Sequence, residues 1–446
     1  NRAINNGECS MWGNPIAEMM YEGLRYFSGA KTPHPSFDYT NSGSIDEGLG
    51  LPKASWNDPY DTADNGYPYC AKPFQLVISD INPSYDSDTV PGSYFTTLAQ
   101  DLAVPQLHAL NHANTITAGE DAYAATDPDI ETVTGKKYIG QSGLNVGKTP
   151  QPKDVTSLGE IRGLSPEEPT KQGSYYAASV AYDGWLNDIS GTTPEPSKYT
   201  NDKDSRYKQR PNTFSVALAS PLPEIRIPVA SGNDVTLVPF AKSVSGYGIS
   251  GGVNDFQPTN QIVDFYIESL TSTEGSFLVN FEDVEQGADH DMDALVRYRY
   301  KLDAAGTVTV TLESLFASGS INQHMGYVIS GTTKDGVYLE VRDTDSTDHN
   351  GYYLDTPPGV WAGQPRGTDD LPLIAVRTFS PGTTPGASVL KDPLWYAAKW
   401  GGFVDQNDDD TPDLQAEWDE DGDGDPDNYF LVTNALGLGA QLAKAF

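Results

Sequence analysis

Cysteine is nearly absent: the 446 residues contain two, Cys9 and Cys70. Neither stands in a C-x-x-C or other metal-ligand spacing, which argues against thiolate zinc sites and thioredoxin-type chemistry. Positive charge is also scarce. Lys and Arg number 28 against 62 Asp and Glu, a formal net charge of −34. Such a chain repels nucleic acid and anionic lipid, both polyanions, and suits surroundings whose salt and divalent cations screen its self-repulsion. Long apolar runs are missing too: no stretch approaches the roughly 18–20 residues of a membrane span. No signal peptide opens the chain, which runs straight into a helix, so a precursor extending further upstream is expected. Hydrophobic residues make up only 37%, yet 25 Tyr, 15 Phe and 7 Trp supply enough aromatic surface for packed cores. With 43 Gly and 32 Pro, those cores are expected to be joined by long loops. The length allows two or three domains.

What is abundant is aspartate near the C-terminus. Asp419-Glu420-Asp421-Gly422-Asp423-Gly424-Asp425-Pro426-Asp427 reads D-x-D-x-D-G-x-x-D. Carboxylates at the first, third and fifth positions converge when the chain curls, the glycine permits the sharp turn, and a ninth-position Asp closes the cage. This is the first half of an EF-hand-type loop without the twelfth-position Glu. It predicts one Ca²⁺ held by Asp419, Asp421, Asp423, Asp427 and the carbonyl of Asp425. Asp405, Asn407, Asp409 and Asp413 repeat the spacing less perfectly, with Asp410 where the turn glycine belongs, and are candidates for a second ion. The competing reading is a solvated acidic loop; the cation reading is preferred, more so for the second loop. The cysteines are either unrelated thiols or one disulfide, worth roughly 4 kcal/mol for a loop of about sixty residues. Calcium loops and a disulfide both suit an extracytoplasmic site, which favours the Cys9–Cys70 pair.

Along the chain, Asn14-Pro15 followed by Ile16, Met19, Met20, Leu24 and Phe27 predicts an amphipathic helix capped by Asn14 and ended by Gly29. Phe74–Asp80 reads as a buried parallel strand. Helices are expected near Tyr94–Leu110 and over Ser174–Asn187, and a strand over Thr213–Ala219. Residues 1–250 therefore read as α/β with long insertions. From 255 to 380 the texture turns to β, with strands at Gln261–Ser269, Ser276–Phe281, Leu295–Leu302, Thr307–Leu312, Gly326–Ser330 and Val337–Arg342. The last two flank an Asp335-Gly336 turn; together these strands read as a sandwich-like module. Residues 390–446 form a third region: a helix over Leu394–Trp400 started by Asp392-Pro393, the aspartate loops, and a weak C-terminal helix.

Several motifs fail on context. Gly248-Ile249-Ser250-Gly251-Gly252 matches the nucleophile elbow, but Pro258 and its neighbours cannot be the helix that must follow. Ser142–Thr149 nears a P-loop, but Ser142 replaces the first glycine and Pro150 and Pro152 stand where the phosphate-binding helix would start. His108 and His112 are four apart without the zincin Glu; for them and for His34, His290, His324 and His349, surface or capping roles are expected. Asp289, Asp291 and Asp293 alternate, and a shared cation and a solvated strand start stand level as readings.

Four segments resemble the PilC/PilY family of type IV pilus tip-associated adhesins: Gly13–Phe27, Cys70–Asp80, Glu282–Asp293 and Gly331–Leu339. A fifth is the most specific, Pro393-Leu394-Trp395-Tyr396-Ala397-Ala398-Lys399-Trp400-Gly401-Gly402-Phe403 with the acidic loop and Pro426–Phe430. The resemblance implies a von Willebrand A-like domain, here partial, then a β-rich module, with a C-terminal β-propeller that would begin where this chain stops. No D-x-S-x-S exists to form the core of that domain's metal site. Asn14 stands where its threonine is expected, and Asp80 matches the remaining acidic position.

The expected fold is thus a partial von Willebrand A-like α/β domain with long insertions, then a β-sandwich-like module and an Asp-rich calcium-loop tail. The expected function is that of an extracellular, pilus-associated, non-enzymatic protein. It acts in pilus assembly and attachment, with minor pilins or the pilus tip complex and a host or abiotic surface as partners. The alternative is a structural stalk or filament-forming subunit without its own receptor.

Overall fold

The computed structural model describes residues 13–38, 55–61, 66–68, 71–127, 130–144, 152–164, 172–189, 209–218, 222–229, 233–245, 260–283, 292–318, 322–346, 371–433 and 435–445. Cys9, Cys70, Ser250, Asp289 and Asp291 lie outside them, so the disulfide, the elbow motif and the 289–293 cation loop have no structural description.

The first unit is α/β. Its sheet holds β1 (Phe74–Ser79), β4 (Asn212–Ala217) and β14 (Tyr429–Leu431) in the order β1-β4-β14. Both pairings are parallel, with Phe74 opposite Asn212 and Tyr429 opposite Ser215. One face carries α1 (Ile16–Phe27), α2 (Ala109–Ala124), α3 (Tyr176–Leu186) and α4 (Pro393–Gly402), which share a core containing Leu24, Ile116, Val180 and Trp400. On α1 the apolar stripe Ile16, Met20, Leu24 turns inward, as its spacing requires. Across α3, Tyr176 to Trp185 are all buried, which makes it the central helix.

Residues 390–446, expected as a region of their own, are here part of this α/β unit. Helix α4 packs into the shared core and β14 completes the sheet. Apolar burial drives the return: Trp395, Tyr396 and Trp400 are each at most 5% exposed. The helix expected near 94–110 lies instead at Ala109–Ala124. Pro105 disfavours helix before it, and His108 caps the new start, its Nδ1 accepting from Asn111 N at 3.4 Å. Strand β1 is parallel but not buried: at the sheet edge, Phe74 and Ile78 are 56% and 49% exposed.

Asn14 does not cap α1; its side chain turns to Ser79 and Asp80. The capping acceptor is Asp86, fully buried, which accepts from Ala17 N at 3.4 Å and Ser174 N at 2.8 Å. Burial pushes the Asp86 carboxyl up to about 8, and pushes its neighbour Glu18 up to about 7. Folded chains therefore hold these protons between the unfolded pKa, near 4, and about 8, and this stabilisation fades as pH rises through that window. Asp86→Asn is expected to flatten the pH dependence of urea stability from pH 5 to 8. A slope equal to that of the parent would rule out Asp86 as its source.

The second unit is a β-sandwich. One sheet is β13 (Ile374–Phe379), β10 (Val308–Ala317), β9 (Ala294–Leu302), β8 (Glu274–Asp283) and β7 (Asn260–Leu270) in that order. The other is β12 (Gly336–Arg342), β11 (Asn322–Ser330), β6 (Val235–Ser245) and β5 (Ile225–Ile227). Their inner faces share a core including Leu237, Phe281, Val296, Val310 and Tyr327. Strands β7 to β12 lie where alternation predicts them. The sandwich, however, begins at β5 near residue 225, not at 255. Strand β6 was hidden by Pro239, which a central strand should exclude. Pro239 lies beyond the last β5 pair, Ile225 with Leu237, so a strand adjoins it on one side, where Tyr327 of β11 is its partner, and the missing N–H is tolerated as at a sheet edge. His324 belongs to this buried interior at 1% exposure, not to the surface. A short antiparallel pair, β2 (Gly135–Lys137) with β3 (Lys153–Val155), leads into the junction of the units. There Tyr138 Oη donates to Thr236 O at 2.9 Å and Lys137 Nζ to Ser388 Oγ at 2.6 Å.

Candidate metal centre

Helix α4 sets the position of the aspartate loops. Asp392 caps it, accepting from Leu394 N and Trp395 N at 2.9 and 3.0 Å, with Pro393 in the first turn. The chain leaves α4 at Phe403, whose ring stacks on Trp185 at 3.8 Å. It makes the first loop, a single helical turn α5 (Gln415–Trp418), then the second loop, and enters β14. Both loops are thus clamped between a core helix and a core strand.

In the second loop Asp419 is 2% exposed. Its Oδ1 accepts from Gly422 N and Asp423 N at 2.7 and 3.1 Å, and its Oδ2 from Gly424 N and Gln415 Nε2, both at 3.0 Å. Gly422 and Gly424 have φ of +75° and +89°, the left-handed turns that coil the chain about this carboxylate. Asp419, Asp421 and Asp423 each bring a carboxylate oxygen within 4.8 Å of the others. Three hard oxygen donors at that spacing fit a cation such as Ca²⁺. Asp427 stands beside them, its Oδ2 accepting from Glu420 N at 3.1 Å. Burial first, and then the charges of Asp421, Asp419 and Glu420, hold its carboxyl above the usual range; a bound cation would reverse that strain. The Asp425 side chain is engaged elsewhere, accepting from Trp395 Nε1 at 2.9 Å and Lys391 Nζ at 3.2 Å.

The first loop has the same backbone. Asp408 and Asp410, both at φ +62°, occupy the fourth and sixth positions counted from Asp405, as Gly422 and Gly424 do from Asp419. The missing glycine does not alter the turn, since aspartate tolerates the left-handed region better than most residues. Asp405 accepts from Asp408 N at 2.8 Å and Asp410 N at 3.0 Å. At the centre sits the Asn407 amide, with Nδ2 3.0 Å from both Asp409 Oδ2 and Asp413 Oδ1. Its partial positive charge lies where a cation would attract the same oxygens. Among the described residues, the structure brings together Asp419, Asp421 and Asp423, and does not gather Asp405, Asp409 and Asp413 as tightly.

Sequence reading missed the supports of these loops. Glu417, 3% exposed, accepts from Gln406 N at 2.8 Å and Leu414 N at 3.1 Å, tying the first loop to the turn before the second. Tyr182 Oη on α3 donates to Asp410 O at 2.9 Å. Only Glu417, an acid between two ligand-spaced runs, offered a signal. Far from the loops, Asn14 Nδ2 donates to Asp80 Oδ1 at 3.0 Å and Ser79 Oγ at 2.9 Å, so the positions before α1 and after β1 do meet.

A family model described as the PilY1 homolog second domain matches residues 1–184, and one described as the PilY1 homolog beta-sandwich matches residues 227–372. The second covers the sandwich from the end of β5 through β12 and stops short of β13. The Type IV pilus biogenesis factor PilY1 homolog of Xylella fastidiosa is 42% identical over 489 aligned residues. That alignment takes in 100% of this chain and 30% of the relative, so the chain spans less than a third of that protein's length. No solved structure matches it. Two successive domains of one family, matched in order over most of its length, and this identity along the whole of it establish that the chain belongs to the PilY1 homolog family.

Proposed function

We propose that this chain is the calcium-stabilised portion of an extracellular type IV pilus factor that acts in pilus biogenesis and surface attachment. Minor pilins or the pilus tip complex would be its partners, and a host or abiotic surface its target. The name of the Xylella relative, a pilus biogenesis factor, supports the pilus assignment, and a parallel sheet beneath helices, with Asn14 and Asp80 meeting at its end, supports a von Willebrand A-like origin for the first unit. The observation that carries the calcium reading is the convergence of Asp419, Asp421 and Asp423 at the junction of α4 and β14.

The chemistry is electrostatic. A divalent ion offsets carboxylate repulsion and orders a loop whose backbone otherwise loses about 1–2 kcal/mol of entropy per residue. At a hundredfold excess of free calcium over Kd, binding stabilises the fold by about 2.7 kcal/mol. Calcium is therefore expected to raise the melting temperature by several degrees, EDTA to abolish the rise, and Asp423→Ala to remove the response while leaving the calcium-free melt nearly unchanged. Identical melts with calcium and with EDTA would exclude the ion. Asp419→Ala with Asp423→Ala, placed in the full-length protein of a strain lacking it, tests the pilus role through counts of surface pili. Normal piliation with the calcium response lost would separate the ion from biogenesis.

A further inference from the structure

The hairpin of β7 and β8 extends past the sandwich core. From Tyr266 through Glu274 every residue is exposed, on both faces, and among them Tyr266, Ile267 and Leu270 are 61%, 51% and 58% exposed. At its base the arm is firmly seated: Phe265 stacks on Phe277 at 5.3 Å, and Phe277 packs in the sandwich core. Its tip is closed by Thr271, whose N–H donates to Glu274 O at 2.8 Å and whose Oγ1 accepts from Glu274 N at 3.0 Å. Among the described residues, strand β7 is the last of its sheet and pairs with β8 alone. A stiff arm therefore presents a row of unpaired backbone donors and acceptors flanked by three large apolar side chains, the arrangement that accepts an added strand.

We propose that the outer edge of β7, over Asp264–Leu270, docks an extended strand of another polypeptide that is apolar in part and carries net positive charge. Charge selects this occupant. The chain carries −34, so a second copy is repelled at long range. Antiparallel self-pairing would also set Asp264 and Glu268 of both copies along one seam. Glu268 is held by Arg297 at 2.8 and 3.0 Å, which keeps its side chain on the sheet face and clear of the edge; Asp264 is exposed. Two bulges, at Ile262–Asp264 and Ile267–Ser269, limit the straight edge to a short run, so the docked segment is short.

The probe is a short synthetic peptide alternating lysine with valine, offered to the whole chain at physiological salt. Its counterpart is the same peptide N-methylated at every second residue, which keeps the charges and side chains but loses the backbone donors. The unmodified peptide is expected to bind at least about tenfold more tightly. It should slow amide exchange over residues 264–270, and Tyr266→Ser with Leu270→Ser should weaken it by a similar factor without changing the melt. Equal binding of both peptides, or protection confined to the aspartate loops, would reduce the interaction to charge alone and overturn the proposal. Dimerisation of the chain by itself, lost in the same double variant, would assign the edge to a second copy and overturn it equally.

Discussion

Glu120→Ala is expected to destabilise the α/β unit by about 3–5 kcal/mol, because it strands a buried cation. Lys399 Nζ is 1% exposed in its side chain and lies 2.9 Å from the Glu120 carboxylate. Three rings surround it, Trp418 at 4.1 Å, Tyr123 at 4.7 Å and Trp395 at 5.3 Å from Nζ to the centroids. The same carboxylate accepts from Trp400 Nε1 at 2.6 Å. Burial already holds the Lys399 ammonium below its ordinary 10.5, opposed by the attraction of Glu120. With the acid gone, the lysine must shed its proton to stay inside. The unfolded state then binds the extra proton, so the variant's stability should rise with pH up to the ordinary lysine range. Urea titrations at pH 7 and 9 read both effects. Glu120→Leu combined with Lys399→Met should recover most of the loss, since an apolar pair needs no counter-charge. A single variant within about 1 kcal/mol of the parent would mean that the rings alone support the charge. Because Trp418 precedes Asp419 and Trp395 holds Asp425, Glu120→Ala should also blunt the calcium response.

Gly326→Ala is expected to cost the sandwich about 3 kcal/mol, the upper end for overpacking. A Cβ built there would lie 1.6 Å from Tyr338 O and 2.8 Å from Leu339 Cα, so backbone, not a side chain, must move. The site is a bulge between β11 and β12, in register between Met325 and Gly326, where the partner strand crosses closely. Gly326 O also accepts from Tyr298 Oη at 2.7 Å, which ties the bulge to the opposite sheet. Calorimetry should show the loss in the sandwich while the α/β unit keeps its own core. An unchanged thermogram would mean that the strands separate at no cost.

Much of the sandwich was readable because strand periodicity is local. In β9, Ala294, Val296, Tyr298 and Tyr300 turn inward while Arg299 and Lys301 face water. The turns of the aspartate segments were readable for the same reason: the carboxylates sit two residues apart, and Asp405 and Asp419 accept from backbone N–H groups of their own segments. Two things broke the local rules. Pro239 concealed β6, because its permission depends on how far β5 reaches. Asp410 weakened the first loop on paper, because the sequence alone does not say that an aspartate will accept the left-handed turn.

What the sequence determined by itself was the chemistry: a polyanionic chain with hard-cation spacing at Asp419–Asp427, alternation in the strands, and proline-capped helices. What only the tertiary structure decided was where that chemistry sits. Three residues are too short a run to be read as a strand, yet β14 joins β4, and Phe430 and the following Val432 bury against Val216. Helix α4 returns across more than two hundred residues to α3 for the burial of Trp395, Tyr396 and Trp400. Pairing and burial between segments so far apart depend on which surfaces meet, and no window of sequence contains both partners.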